Sequence, residues 1–321
     1  MVRRAHVALF GLFAVLALPA CATAQASANP LAEFQRREAL VHDTGWQLAR
    51  ANRGFCERTS PSIGLLIHDA RNYARAGEVR RALSLVGDIG VQAVAVGSPA
   101  QKAGIAANWS VIAIDGEPVT SRWRPTSPSS QRTLQIERTI ADSLGNGEVT
   151  LQLRRGSANP VQISLRGVAS CSAKFRLTSG DDPYAGPETV FVGHDFHAFG
   201  MDRAELAAAI AHELAHVLLD HPRKKQAERW GTARTRASER VADRMMPWLL
   251  WNSGYDPHAA ARWMREWGPK HSGGVLRKRT HDGWDERLEM IEAEIAALEA
   301  LIADNGWSRG QADWSARFSA D

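Results

Sequence analysis

Two textures divide this chain, and the change between them constrains the fold more than any single residue. From Ser62 to Leu165 apolar residues come in short runs, Ile63 to Ile67, Val91 to Val96 and Val111 to Ile114, and then in alternating stretches at 148–153 and 161–165. Runs of this length, bounded by glycine, proline or aspartate, predict strands. One helical stretch, about 131–144, interrupts them. Beyond Cys171 the apolar spacing turns helical, with a single extended patch at Thr189 to Val192 and a final amphipathic helix over about 285–304. Strands gathered in one stretch and helices in another imply an α+β protein. Helical spacing also precedes the strands over 31–53, through Leu31, Phe34, Leu40, Val41, Trp46 and Leu48. The expected division is a leader at 1–24, an N-terminal helical segment at 25–57, a β-rich domain at 58–170, and a mainly helical domain with a small edge sheet at 171–321.

The leader sets the compartment. Arg3 and Arg4 precede an apolar run from Val7 to Ala20 that is shorter than the roughly twenty residues of a membrane span, and Ala22-Thr23-Ala24 follows it as an A-x-A pattern. The expectation is export to the periplasm or beyond, with cleavage after Ala24. Leu18-Pro19-Ala20-Cys21 also resembles a bacterial lipoprotein box, so the alternative is a lipoprotein anchored through Cys21, the one case in which a membrane is a partner. Cys21 drops out of the disulfide count on either route. Cys56 and Cys171 remain, an even pair in an oxidising compartment, and are read as a disulfide. The net charge of +4 falls to +2 without Arg3 and Arg4, an excess too mild to call for nucleic acid.

The chemistry is concentrated in His212-Glu213-Leu214-Ala215-His216. Asp202 and Glu205 form a capping-box pattern that starts a helix there. Residues 212 and 216 are one helical turn apart, so both imidazoles can meet one Zn²⁺ while Glu213, beside them, serves a metal-activated water as general base. The third ligand must come from elsewhere. The position a metzincin would use is Pro222, which excludes that subclass. His221, nine residues after His212, falls on the opposite side of the same helix, so it cannot complete the site and is read as structural. Glu239 and Asp243 lie one turn apart on a second helical segment, so Glu239 can bind zinc while Asp243 orients a histidine. Glu228, in the polar and basic stretch 222–238, is the alternative ligand. His194 and His197 are read as surface or core residues.

Two family resemblances overlie these patterns. Val96-Gly97-Ser98-Pro99-Ala100 through Ala103-Gly104-Ile105, followed by Ile114-Asp115-Gly116-Glu117-Pro118-Val119, resembles a PDZ domain. That likeness implies that a C-terminal peptide adds beside the sheet with its carboxylate on the backbone of Ile63-Gly64-Leu65. The usual Gly-Asp before the central strand is here Asn108-Trp109-Ser110. The second likeness runs over about 173–300. HExxH at 212–216, Glu239-Arg240-Val241-Ala242-Asp243, Ser253-Gly254-Tyr255-Asp256-Pro257 and Thr280-His281 with Arg287-Leu288 resemble, in order, the zinc peptidases that include HtpX, BepA and the CAAX prenyl proteases.

The resemblance implies a gluzincin fold with one zinc per chain on His212, His216 and Glu239, and Glu213 as base. It further implies His281 in the site, as oxyanion donor or fourth ligand at rest, with Asp243 and Arg287 supporting the ligands. The family's Asn-Ala strand is replaced by Asp182-Pro183-Tyr184-Ala185-Gly186. The expected function is endopeptidase action on polypeptides of the envelope. A non-cleaving zinc-stabilised chaperone or adaptor, and a hydrolase of a non-protein amide, remain as alternatives.

Overall fold

The computed structural model describes residues 29–125, 130–271 and 282–318. Helix α1 spans Pro30–Ala51; Pro30 occupies its first turn, where no N–H is needed, and the Asn29 side chain accepts the Leu31 N–H at 3.1 Å. The β-rich stretch follows as β1 (Thr59–Ser62), β2 (Leu65–Asp69), α2 (Ala76–Ala82), β3 (Ile89–Val94), α3 (Pro99–Lys102), β4 (Ser110–Ile114), β5 (Glu117–Pro118), α4 (Val119–Arg122), α5 (Gln131–Gly145), β6 (Val149–Arg154), β7 (Val161–Leu165) and β8 (Val168–Cys171). The remainder is β9 (Lys174–Thr178), β10 (Tyr184–Ala185), β11 (Thr189–Gly193), α6 (Arg203–Leu218), α7 (His221–Glu228), α8 (Thr232–Asn252), α9 (Ala259–His271), α10 (Trp284–Asn305) and α11 (Ser315–Phe318). The fold is α+β, as the two textures required.

In the β-rich unit the strands pair antiparallel in the order β2-β3-β4-β6-β7, with β5 on β4. Val149, Leu151 and Leu153, alternating along β6, face Ile136, Ile140 and Leu144, which repeat every four residues along α5. The strand expected from Ile63 starts at Leu65, because Gly64 adopts φ +66° with its Cα pressed against Ser98. Asn108 stands at φ +67°, in the left-handed region that asparagine tolerates. The Asn108 side chain accepts a hydrogen bond from Gln35 on α1 at 2.8 Å.

The other core is built by α1, α6, α8, α9 and α10 against a small sheet of order β10-β11-β9. The extended patch at Thr189–Val192 is central in that sheet: β11 pairs parallel with β9 and antiparallel with β10. The patch is therefore not an edge strand, and the two edges of this sheet are β10 and β9. Helix α1 buries Val41, Leu48 and Ala49 in this core, so the N-terminal helix is part of the helical unit. Gly45 is the contact point: a Cβ there would lie 2.1 Å from the Phe175 ring of β9. Strands β1 and β8 pair antiparallel, Thr59 opposite Cys171, so the chain enters and leaves the β-rich unit side by side. The β-rich unit is thus an insertion between α1 and β9.

The two units share a polar junction. Half-buried Arg176 of β9 donates to the Ile67 carbonyl of β2 at 3.2 Å and to Glu137 of α5, while Lys174 bonds Glu137 at 2.9 Å. A cavity of about 160 Å³ lies between β2 and α5, walled also by α1, β1, β8 and the start of β9. No described helix is long and apolar enough to cross a membrane.

Candidate metal centre

Helix α6 enters the middle of the helical core because Ala207, Ala208, Ala209 and Ala211 present almost no bulk to its neighbours. Glu205 closes the start of the helix, accepting the Asp202 N–H at 3.2 Å. One turn apart near its far end, His212 and His216 turn their Nε2 atoms toward each other at 3.3 Å. Helix α8 packs beside α6 and sets the Glu239 Oε2 atom 3.2 Å from His212 Nε2 and 3.6 Å from His216 Nε2. Ligand bonds of about 2.0–2.1 Å opened to a tetrahedral angle separate zinc donors by roughly 3.3 Å. The three donors have that spacing, and a point about 2 Å from all three exists close to their plane. Two imidazole nitrogens and a carboxylate oxygen converging on one point suit a divalent cation of borderline softness.

Asp243, one turn after Glu239, backs the set. Its Oδ1 atom lies 3.0 Å from His212 Nδ1, although the ring N–H is not squarely aligned with it. Arg287 of α10 grips the same carboxylate with Nε and Nη2 at 2.6 and 2.7 Å. Asp243 is fully buried and Arg287 nearly so. Burial alone would raise Asp243 and lower Arg287, but each partner overrides it, so Asp243 lies below the ordinary carboxylate value and Arg287 above its own. Burial likewise opposes charge on His212, and Asp243 and Glu239 reverse it, lifting the imidazole to about 10. The cluster thus favours positive charge where the three donors meet. Glu213, next in sequence to His212, is half-buried, and burial of its carboxyl raises its pKa against the pull of His212 and His216.

His221 departs from the sequence expectation. Helix α6 stops at Leu218, and Asp220 turns the chain at φ +58° before α7 begins at His221 with Pro222 in its first turn. The ring is folded back under the site, buried, with Nδ1 2.9 Å from His216 Nδ1 and its centroid 5.7 Å from Trp230. The opposite-face argument failed because the helix does not continue. The local signal was Asp220-His221-Pro222, an aspartate able to adopt the left-handed turn before a helix-starting proline. Glu228 is engaged elsewhere, by Trp230 Nε1 at 2.9 Å and by Arg234. His194 is paired with Asp195, and His197 meets the Phe196 ring edge-on and stacks on His271; neither joins the donor set. His281 and Thr280 lie outside the described residues.

Cys56 and Cys171 are bonded, with Cα atoms 5.6 Å apart, fastening the segment that follows α1 to the exit strand β8. The Ile63-Gly64-Leu65 segment lines the interdomain cavity, but much of its backbone is engaged: the Ile63 and Gly64 carbonyls accept from Ala100 and Ala95, and the Gly64 N–H donates to Ser62 Oγ at 3.2 Å. The β1–β8 ribbon and β9 stand beside α5 and β2. A scan against models of protein families and a search of curated proteins find no match to this chain.

Proposed function

We propose that this protein is a zinc-dependent endopeptidase of the gluzincin kind, with His212, His216 and Glu239 as ligands, one zinc per chain, and a PDZ-like inserted domain. The observation that carries the reading is the donor triangle with edges of 3.2, 3.3 and 3.6 Å, backed by the buried Asp243–Arg287 pair. Bound zinc would supply Lewis acidity for attack by water on a peptide carbonyl. Glu213 takes the proton of the attacking water and returns it to the leaving amine, a role that a carboxyl whose pKa is raised by burial suits. Asp243 holds His212, and Arg287 holds Asp243.

A polypeptide substrate is favoured by β10, which packs against α6 and pairs only with β11 among the described strands, so its outer edge can hydrogen-bond an extended chain. The Cys56–Cys171 bond supports an oxidising, exported location. The β-rich unit acts as a scaffold first, because its β2–α5 face is clasped by Arg176. The test is incubation of the zinc-loaded chain with an unfolded protein, with and without chelator, alongside Glu213→Gln. Chelator-sensitive cleavage that Glu213→Gln reduces by about 10²–10⁴-fold while keeping its zinc is expected. Loss of zinc from Glu213→Gln, or cleavage indifferent to chelator, would refute the assignment.

A further inference from the structure

We propose that His221 is a positioning residue that fixes the tautomer and orientation of His216 by accepting its Nδ1–H, an inference that rests on His212, His216 and Glu239 being the metal ligands. The Nε2 atom of His216 faces His212 Nε2 at 3.3 Å and Glu239 at 3.6 Å, so Nε2 is the atom that must offer its lone pair. A neutral imidazole bound through Nε2 carries its proton on Nδ1. That atom has His221 Nδ1 at 2.9 Å, inside hydrogen-bond range. A metal-bound histidine almost always donates its second ring N–H to a fixed acceptor, which orients the ring and raises its basicity. His212 has the Asp243 carboxylate in this place; His216 has a neutral ring.

The fold holds that ring rigidly. His221 is only 5 % exposed, packed edge-on against Trp230 and placed by the left-handed turn at Asp220. Asp220 is tied in turn by Arg223 at 3.0 Å and Arg58 at 3.4 Å. The two ligands thus differ in what supports them: a buried ion pair behind His212, an uncharged acceptor behind His216.

The experiment uses full-length chain carrying His221→Leu, His221→Asn or His221→Gln. Asn puts its Oδ1 where Nδ1 stood, whereas Gln puts its carbonyl about one bond further out, so only Asn preserves the acceptor. Zinc affinity is measured by competition with a chromophoric chelator, and the His216 Nδ1–H is followed by NMR on ¹⁵N-histidine-labelled, zinc-loaded protein. His221→Leu and His221→Gln should weaken zinc binding by about 10–100-fold and lose the slowly exchanging Nδ1–H signal. His221→Asn should keep the signal and most of the affinity. Should the leucine variant not fold, the Asn and Gln contrast carries the test. Wild-type affinity in both His221→Leu and His221→Gln, or equal impairment in Asn and Gln, overturns the proposal. A wild-type chain that takes up no zinc overturns the three-ligand reading and this inference with it.

Discussion

Replacing Asp243 separates what supports the fold from what supports the site. Asp243 is 0 % exposed and Arg287 5 %, and two hydrogen bonds of 2.6 and 2.7 Å join them. Asp243→Leu leaves the Arg287 guanidinium buried without its anion, a change that costs about 3–5 kcal/mol of folding stability. It also removes the carboxylate 3.0 Å from His212 Nδ1, which should weaken zinc binding by about 10–100-fold. Adding Arg287→Met removes the stranded charge, and a buried pair replaced by apolar groups of similar volume is often neutral. The double variant should therefore recover most of the stability and none of the zinc affinity. Urea unfolding in chelator reports the first quantity without a metal contribution; chelator competition reports the second. A single variant within about 1 kcal/mol of wild type would refute the account of the buried pair. A double variant that regains wild-type zinc affinity would show that Asp243 does not hold His212.

Two further expectations concern stability away from the donors. The disulfide closes a loop of 115 residues, so Cys56→Ser with Cys171→Ser should lose up to about 4–5 kcal/mol in urea unfolding; a loss below about 1 kcal/mol would deny the bond a structural role. His42 and His68 are both lowered to about 4, chiefly by burial and further by nearby Arg176, against about 6.5 when unfolded. The unfolded chain binds more protons between those values. Their contribution is therefore whole above about pH 6.5 and is lost as pH falls toward 4, reaching roughly 2 kcal/mol per histidine by pH 5. Glu38, raised by burial beside the same arginine, works with the opposite sign and offsets part of the loss. Unfolding in chelator at pH 7.5 and 5.0 checks this, and a pH dependence that persists undiminished in His42→Gln with His68→Gln would refute it.

Much of the site was legible because its signals are local. Helical geometry alone places residues 212 and 216, and residues 239 and 243, in same-face pairs, and the structure sets both pairs on adjacent helices. What failed was continuation: one residue, Asp220 at positive φ, ended the helix and carried His221 under His216. Thr189–Val192 was legible as a strand from its own residues, but whether it lies at an edge depends on β10 and β9, one on each side of it.

The sequence by itself determined the α+β class, the position of most elements, and the same-face pairing of His212 with His216 and of Glu239 with Asp243, since these follow from backbone hydrogen bonds between near neighbours and from apolar spacing along one segment. Tertiary structure alone decided which segments share a core. Helix α1 joins the helical unit across the whole inserted domain, with Gly45 against Phe175. Arg287 reaches Asp243 from 44 residues away, and Arg176 clasps β2 to α5. Such contacts are chosen by which apolar surfaces remain to be covered, and which buried charges remain to be paired, once the chain has closed on itself. No local pattern encodes that remainder.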